Sequence, residues 1–269
     1  MNNLPQTARL WEPLHVGNVR YFRRAGFSFR QYIEENSTDE ATRHRFEALF
    51  MGKILSPYMV SQTTPRDLWA AQRLQVKFCR ATQILPYLTN AFSFECAPVH
   101  IIRHPCAVVS SQMKWGAWDK VNPKISEAEI LASPLLLPYR DTLLKIQTIE
   151  ERLAAFWAIV NKVALTHADR KLRWQTVHYE NLLLDPMEGV CAILKRWNIA
   201  PPTHLEELVR RPSQTTLTSS PITGGNVEHQ LSLWKNRLSE HSVSAILDIV
   251  HEIGVDIYDA SPTPRASAT

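Results

Sequence analysis

The chain has 269 residues, of which 45% are hydrophobic and 21% charged, as is usual for one large or two small globular domains. Thirty Lys and Arg residues against 26 Asp and Glu residues leave a net charge of +4, too small to indicate a nucleic-acid partner but compatible with a local basic pocket for a small anion. The four cysteines are irregularly spaced, and no apolar run approaches the length of a membrane span. We therefore expect a soluble, cytoplasmic protein with reduced thiols, no metal site and no membrane span.

Apolar spacing and turn residues predict strands that alternate with helices along the chain. In chain order the segments are helix 39–51 capped by Asp39, strand 74–78, helix 82–90, strand 98–102, helix 105–114, a short helix after Ser126, helix 150–167, strand 174–179, helix 186–197 capped by Asp185, and helix 240–253 between Ser239 and Gly254. This alternation predicts an α/β fold with a mostly parallel central sheet. Three strands are few for such a sheet, which indicates that another strand is missing or poorly marked.

Residues 99–111, Val-His-Ile-Ile-Arg-His-Pro-Cys-Ala-Val-Val-Ser-Ser, combine features that suit a phosphate. The apolar strand, predicted to be buried on both faces, delivers Arg103 to its carboxyl end, where open α/β sheets bind ligands. Pro105 suits a first helical position, and free N–H groups of that turn favour an anion. Ser111 can add a hydroxyl from the same helix. Alternatively, Arg103 only caps a sheet edge or pairs with a carboxylate, and the serine faces solvent.

These residues resemble the 3′-phosphate-binding motif of sulfotransferases that use 3′-phosphoadenosine 5′-phosphosulfate (PAPS), in which a serine follows an arginine by eight positions. Three more stretches are similar to motifs of that family and occur in its order. The four stretches over about 75–253 are Lys77 and Arg80 before Leu85-Pro86-Tyr87-Leu88, Arg103 to Ser111, Tyr179-Glu180-Asn181-Leu182 before Asp185-Pro186, and Trp234-Lys235-Asn236-Arg237.

The resemblance implies a single sulfotransferase-like domain over 1–259, with a three-layer α/β/α, P-loop NTPase-like architecture. The Pro/Ser/Thr-rich composition of 260–269 predicts a disordered tail. It implies transfer of a sulfuryl group from PAPS to a hydroxyl or amine of a small-molecule or carbohydrate acceptor, leaving 3′,5′-bisphosphoadenosine. Residues implied to bind the nucleotide are Arg103, Ser111, Tyr179 and Lys235. The oligomeric state and the acceptor are left open.

One family element has no counterpart in this sequence. In the family, a Gly-rich loop after the first strand cradles the 5′-phosphosulfate. No glycine ahead of Arg103 stands in a strand–Gly–basic–Ser/Thr–helix context, and Trp11-Glu12-Pro13-Leu14 resembles the segment that follows that loop and its helix. We expect the first strand, the loop and most of the first helix, about 25–40 residues, to be absent from this chain. We therefore expect weak PAPS binding and slow transfer.

A hydroxyl acceptor needs a base beside its proton. Some family members use a histidine just after the strand lysine, but Lys77-Phe78-Cys79-Arg80 contains none. Others use a carboxylate near the end of the first helix, which makes Glu12 the candidate base here, with His15 as a fallback. Alternatively, Glu12 caps or solvates a helix end. Lys77 is the candidate for stabilising charge on the leaving oxygens, or else its ammonium only reaches out to solvent.

Two tryptophans follow the predicted phosphate-binding helix. Trp115 and Trp118 are candidates for lining the acceptor cleft, although tryptophans also fill half-buried core positions. The alternative function is a non-catalytic, sulfotransferase-like binding or scaffold protein, which the missing Gly-rich loop favours.

Overall fold

The computed structural model describes residues 6–114, 116, 118, 121–210 and 227–266. Trp115 and the last three residues of the predicted tail lie outside the described residues. The chain divides into two compact units, Met1–Glu95 and Cys96–Thr269. Within the described parts of the chain, no helix has both the length and the apolar character needed to cross a bilayer.

In its described residues, the first unit contains one parallel pair of strands and several short helices. These are β1 (Thr7–Trp11), α1 (Arg20–Arg24), α2 (Glu40–Phe50), α3 (Pro65–Trp69), β2 (Arg73–Lys77), a 3-10 helix (Thr82–Ile84) and α4 (Leu85–Ala91). Thr7 lies opposite Arg73, and Trp11 lies opposite Lys77. Because the strands are parallel and in this register, the residues that follow β1 and β2 meet at one edge of the sheet.

Strand β1 was not predicted from the sequence, and its burial pattern explains why it forms. Ala8 and Leu10 are fully buried, whereas Thr7, Arg9 and Trp11 are half-buried, which is the two-residue period of a strand. Five residues with an arginine at the centre carry only a faint apolar signal. Leu10 joins a core made mainly of aromatic and branched side chains, which include Phe22, Phe27, Phe46, Leu49 and Tyr87.

The second unit contains a second parallel pair of strands among a larger set of helices. Its described elements are β3 (Val99–Ile102), α5 (Pro105–Met113), α6 (Glu127–Leu131), a 3-10 helix (Leu137–Tyr139), α7 (Arg140–Leu144), α8 (Ile149–Thr166), α9 (Arg170–Arg173), β4 (Gln175–His178), α10 (Tyr179–Leu184), α11 (Pro186–Arg196), α12 (Leu205–Arg210), α13 (Val227–Ser232), a 3-10 helix (Leu233–Asn236) and α14 (Glu240–Ile253). Val99 lies opposite Gln175, and Ile102 lies opposite His178. Arg103 and Tyr179 therefore follow neighbouring strand ends.

The predicted helices of this unit are confirmed, with caps at the expected positions. Asp185 accepts a hydrogen bond from the Glu188 N–H at the start of α11, and Ser239 accepts one from the Ser242 N–H at the start of α14. Helix α14 packs along α8, and both contact α5. The helix that carries Ser111 is thus fixed by the two longest helices that the structure describes in this unit.

The mixed α/β class and the parallel pairing are confirmed, but the described strands form two two-stranded sheets. The three-layer, P-loop-like arrangement stays a prediction, as does the single domain over 1–259. The expectation that the strand at 98–102 is buried on both faces is wrong. Ile101 is 50% exposed, whereas His100 and Ile102 are buried, so β3 alternates between a covered and an uncovered face.

The first residues of the predicted tail make local contacts. The Arg265 N–H donates to the Ile257 carbonyl, and the Arg265 guanidinium pairs with Asp259 at 3.2 Å. Upstream of these residues, Val255 and Tyr258 are buried. The segment after α14 is therefore packed against the second unit as far as Tyr258.

Candidate functional site

In the first unit, the candidate base Glu12 lies at the carboxyl end of β1 and is 3% exposed. Its φ of +47° turns the chain out of the strand, while its N–H donates to the Lys77 carbonyl. One carboxylate oxygen, Oε2, accepts from the Cys79 N–H at 3.0 Å and from Arg80 at 3.3 Å. The other oxygen, Oε1, lies 3.5 Å from Lys77 Nζ and has no hydrogen-bond partner in the described residues.

The expectation that Glu12 alternatively caps or solvates a helix end is therefore wrong. Glu12 follows a strand, and its buried carboxylate is held by a backbone N–H and two cations that come from the end of β2. Pairing of this kind is what makes a buried carboxylate tolerable. No local pattern indicates this arrangement, because Glu12 and Arg80 are 68 positions apart.

The structure brings Lys77 to Glu12, as expected for two residues of one site. The Lys77 ammonium lies 3.7 Å from the centroid of the Trp11 ring, a cation–π contact, and 3.4 Å from Cys79 Sγ. Its side chain is 41% exposed. The ammonium is thus anchored on Trp11 and Glu12, and it keeps enough exposure to meet a ligand.

The fallback base His15 lies close to Glu12 along the chain, and its N–H donates to the Glu12 carbonyl. Its ring packs against Phe29 and Tyr58, with ring centroids 5.4 and 5.2 Å away. The buried Nδ1 has no partner in the described residues. His15 is therefore held by aromatic packing.

In the second unit, Arg103 follows β3 directly, as predicted. It is half-buried, and its guanidinium lies 4.7 Å from the centroid of the Tyr179 ring. No carboxylate among the described residues lies within ion-pair distance of Arg103. The alternative that it pairs with an acid is therefore not realised in the part of the chain that the structure describes.

The expected anion site at the start of α5 is largely closed. Pro105 has no N–H, and the Cys106 N–H donates to Nδ1 of His104, which caps the helix. Pro105, Cys106 and Ala107 are all buried. The Cys106 N–H, one of the groups predicted to favour an anion, is therefore already bonded to the preceding histidine.

Lys235 approaches the same turn through Trp234. The Trp234 ring stacks on His104 with centroids 4.7 Å apart, and the Lys235 ammonium is exposed and 5.3 Å from the centroid of the Trp234 ring. Burial lowers the pKa of His104 to about 4, and the charge of Lys235 acts in the same direction. A neutral His104 therefore separates two cations, Arg103 and Lys235.

Ser111 lies six residues into α5, about 9 Å along the helix axis from Pro105. Ser110 is buried and Ser111 is half-buried, so Ser111 is the more accessible hydroxyl of the pair. Trp118, one of the two aromatic candidates for the acceptor cleft, is half-buried.

Two further residues, Glu180 and Tyr258, make contacts beside this turn that the sequence did not indicate. Glu180, 1% exposed, accepts from the His104 N–H at 2.8 Å and from the Tyr258 hydroxyl at 2.9 Å. These partners are 76 and 78 positions away. Nothing in the local sequence pattern pointed to either contact, because both join segments far apart in the chain.

The described residues contain no group of three or more His, Cys, Asp and Glu side chains that could hold a metal ion. The two sets of residues, Glu12 with Lys77 and Arg103 with Tyr179, each carry cations with aromatic support. Such groups suit an anionic ligand.

No known family model matches this chain, and no curated protein matches it. Among solved structures, the sulfotransferase domain from the Synechococcus PCC 7002 olefin synthase is similar, with 16% identity and a TM-score of 0.39. The match covers 95% of this chain and 96% of that chain. A likeness at this level assigns neither the fold nor the activity.

Proposed function

We propose that this chain is a PAPS-dependent sulfotransferase-type protein whose second unit binds the 3′-phosphate of the donor. The observation that carries the proposal is the state of Arg103. The guanidinium stands at the carboxyl end of a parallel strand, rests on Tyr179, and has no carboxylate partner in the described residues. A half-buried cation without an acid is stabilised by an anionic ligand, and the fork of arginine matches a phosphate.

The neighbours of Arg103 fit the same ligand in part. Lys235 adds an exposed positive charge near the Arg103–His104 turn, and Ser111 adds a half-buried hydroxyl on α5. The backbone at the start of α5 contributes less than in an open helix terminus, since His104 occupies the Cys106 N–H. Affinity for the phosphate therefore depends chiefly on side chains.

The donor supplies an activated sulfuryl group, whose loose transfer leaves catalysis to positioning and charge stabilisation. Of the residues in the first unit, Glu12 is the proposed base, with Oε1 as the oxygen that lacks a hydrogen-bond partner. Lys77 is proposed to stabilise negative charge on the oxygens of the reacting group. The acceptor class remains a hydroxyl or amine of a small molecule or carbohydrate.

A second candidate is a nucleotide-binding protein that does not transfer the sulfuryl group. It needs only the cation site at Arg103, which rests on Tyr179. Both candidates share the phosphate site at Arg103 and differ only in turnover.

The test is isothermal titration with adenosine 3′,5′-bisphosphate. We expect the unaltered chain to bind with micromolar or weaker affinity, and Arg103→Ala to weaken binding by about 1.5–3 kcal/mol, or roughly 10- to 150-fold. Arg140→Ala is the matched control, because Arg140 is exposed and already paired with Glu127 and Asp141. Equal affinities for the Arg103→Ala variant and the unaltered chain would remove Arg103 from the site.

Turnover separates the two candidates. The chain is incubated with PAPS and a panel of phenolic, aliphatic and carbohydrate acceptors, and release of the bisphosphate is followed by chromatography. Sulfated product that disappears in the Arg103→Ala variant supports a transferase. Nucleotide binding that depends on Arg103 without any product supports the binding protein.

A further inference from the structure

A buried chain of hydrogen bonds links the segment after α14 to the turn that carries Arg103. The Tyr258 hydroxyl donates to Glu180 Oε2 at 2.9 Å, and Glu180 Oε1 accepts from the His104 N–H at 2.8 Å. All three residues are buried, with Tyr258 fully so. The chain of bonds therefore lies in the interior of the second unit, where each missing partner is costly.

Glu180 controls both partners of the Arg103–Tyr179 contact. The His104 N–H belongs to the peptide bond that joins Arg103 to His104, so the bond to Glu180 fixes the backbone at the root of the Arg103 side chain. Tyr179, whose ring lies 4.7 Å from the guanidinium, is the residue next to Glu180 in the chain. The Glu180 carboxylate thus fixes the positions of both the Arg103 guanidinium and the Tyr179 ring that it contacts.

Tyr258 is what holds that carboxylate. Its hydroxyl is the donor to Oε2, and a buried carboxylate needs such donors. Burial raises the pKa of Tyr258 well above its usual range, and Glu180 acts in the same direction, so the hydroxyl keeps its proton. The hydroxyl oxygen also lies 3.2 Å from His178 Nδ1 at the end of β4, which ties Tyr258 to the neighbouring strand.

We infer that Tyr258 is a positioning residue for Arg103, which it acts on through Glu180 and the His104 N–H. The segment after α14 then determines affinity for the anion at Arg103, although Tyr258 itself need not touch that anion. The inference rests on the proposed function for its consequence in binding, but its structural core, the placement of the guanidinium over Tyr179, can be measured without any ligand.

The variant that tests this is Tyr258→Phe, which removes one hydroxyl and keeps the ring in its packing against His104. Tyr139→Phe is the matched control, because Tyr139 is in the same unit and contacts Lys162 through its ring, whose centroid lies 5.2 Å from the ammonium. The first readout is the ¹H–¹⁵N signal of the Arg103 side chain, assigned with Arg103→Lys and shifted by the ring current of Tyr179. We expect Tyr258→Phe to move this signal toward its unfolded position and Tyr139→Phe to leave it unchanged.

The second readout is titration with adenosine 3′,5′-bisphosphate. We expect Tyr258→Phe to bind about 5- to 10-fold more weakly, less than the full effect of one lost hydrogen bond to a charged group, because Tyr258 acts on the anion only through Glu180 and the His104 N–H. Glu180→Gln should weaken binding to a similar degree, and the double variant should be no weaker than either single variant, since both changes break one path. Circular dichroism is used to check that each variant is folded. If Tyr258→Phe does not fold, the Glu180→Gln variant provides the test.

The outcomes separate the two proposals. Loss of binding in Arg103→Ala together with full binding and an unmoved arginine signal in Tyr258→Phe overturns the positioning role and leaves the proposed function standing. Failure of the unaltered chain to bind the bisphosphate contradicts the proposed function, and the arginine signal in Tyr258→Phe then decides the positioning role alone. Additive losses in the double variant also overturn the path through Glu180.

Discussion

Glu12 illustrates at the scale of one residue how a strained and buried charge is retained. Its φ of +47° lies in the left-handed region, which costs a residue with a side chain about 1–2 kcal/mol. The Cys79 N–H, Arg80 and Lys77 compensate by surrounding the carboxylate with donors and positive charge. If that carboxylate loses its charge, two cations remain near each other without an anion between them.

We therefore expect Glu12→Gln to lower the free energy of unfolding by roughly 1–3 kcal/mol, a value reduced for the partial exposure of both cations. Urea denaturation measures the change. Glu40→Gln is the control, because Glu40 is exposed and pairs with Arg43 across one helical turn, and its loss should stay within about 0.5 kcal/mol. Equal effects for the two variants would contradict a special role for the buried carboxylate.

His100 and His104 make stability depend on pH. Burial lowers the pKa of each to about 4, although Asn161 opposes the shift for His100, and the unfolded chain has an ordinary value near 6.5. Between these values the unfolded state binds more protons, so stability is complete above pH 6.5 and falls as the pH drops toward 4, by up to about 1.4 kcal/mol per pH unit for each histidine.

Urea denaturation at pH 7, 6 and 5 checks this dependence. His100→Gln should remove the contribution of one histidine to the pH dependence of the free energy of unfolding. Glutamine suits this test because it keeps a donor for the Asn161 Oδ1 atom, which His100 Nε2 contacts at 2.9 Å. A stability that is constant from pH 7 to pH 5 would contradict burial of the neutral rings.

At the scale of elements, local signals predicted what local interactions decide. The ends of α2, α11 and α14 were found within one or two residues because Asp39, Asp185 and Ser239 each cap a helix by a bond to a residue two or three positions on. The start of α5 at Pro105 was predicted, but its cap by His104 was not. Strand β1 was not predicted because it depends on pairing with β2, and the exposure of Ile101 was not predicted because it depends on what covers that face of the sheet.

Gly254, at the end of α14, provides an element-scale prediction. Its φ is +93°, and a Cβ at this position would lie 2.9 Å from Lys162 Nζ, which donates to the Ile253 carbonyl. Gly254→Ala should therefore cost the strain of a left-handed alanine, about 1–2 kcal/mol, and in addition about 1 kcal/mol for the displaced lysine.

Gly26→Ala is the control for that experiment, because Gly26 has a φ of +82° but no atom within 4 Å of the added Cβ. The control variant should lose only the stability that the left-handed alanine costs. Thermal denaturation of both variants measures the difference in stability, and equal losses of stability would show that Lys162 moves aside without cost.

At the scale of the whole chain, the sequence predicted the alternation of strands and helices but not how the strands join. Joining depends on pairing between segments far apart in the chain, such as β1 with β2 and β3 with β4, and single-sequence patterns do not encode it. The candidate site divides in the same way. Arg103 follows a recognisable strand and Lys77 ends another, whereas the roles of Tyr258 and Arg80 come from contacts across more than 60 positions.

The cysteines report on the folded state of the whole chain. All four are free, and Cys106 is fully buried at the start of α5, where burial raises the pKa of its thiol to about 12. A thiol reagent should therefore not modify Cys106 in the native protein at pH 7.5. Titration in urea should give four thiols, and Cys106→Ala should lower that count to three while leaving the native count unchanged. A fall in the native count would contradict burial of Cys106.

The short sheets have a consequence for how this protein must be handled. In the described residues β3 is hydrogen-bonded to β4 alone, so its outward N–H and C=O groups can pair with a strand of another molecule, and the half-exposed Ile101 adds an apolar contact there. In newly made or refolding molecules, aggregation through this edge then competes with correct folding. Refolding at low protein concentration, or a lysine introduced on the exposed side of β3, should reduce aggregation and leave the buried hydrogen bonds of Glu180 unchanged.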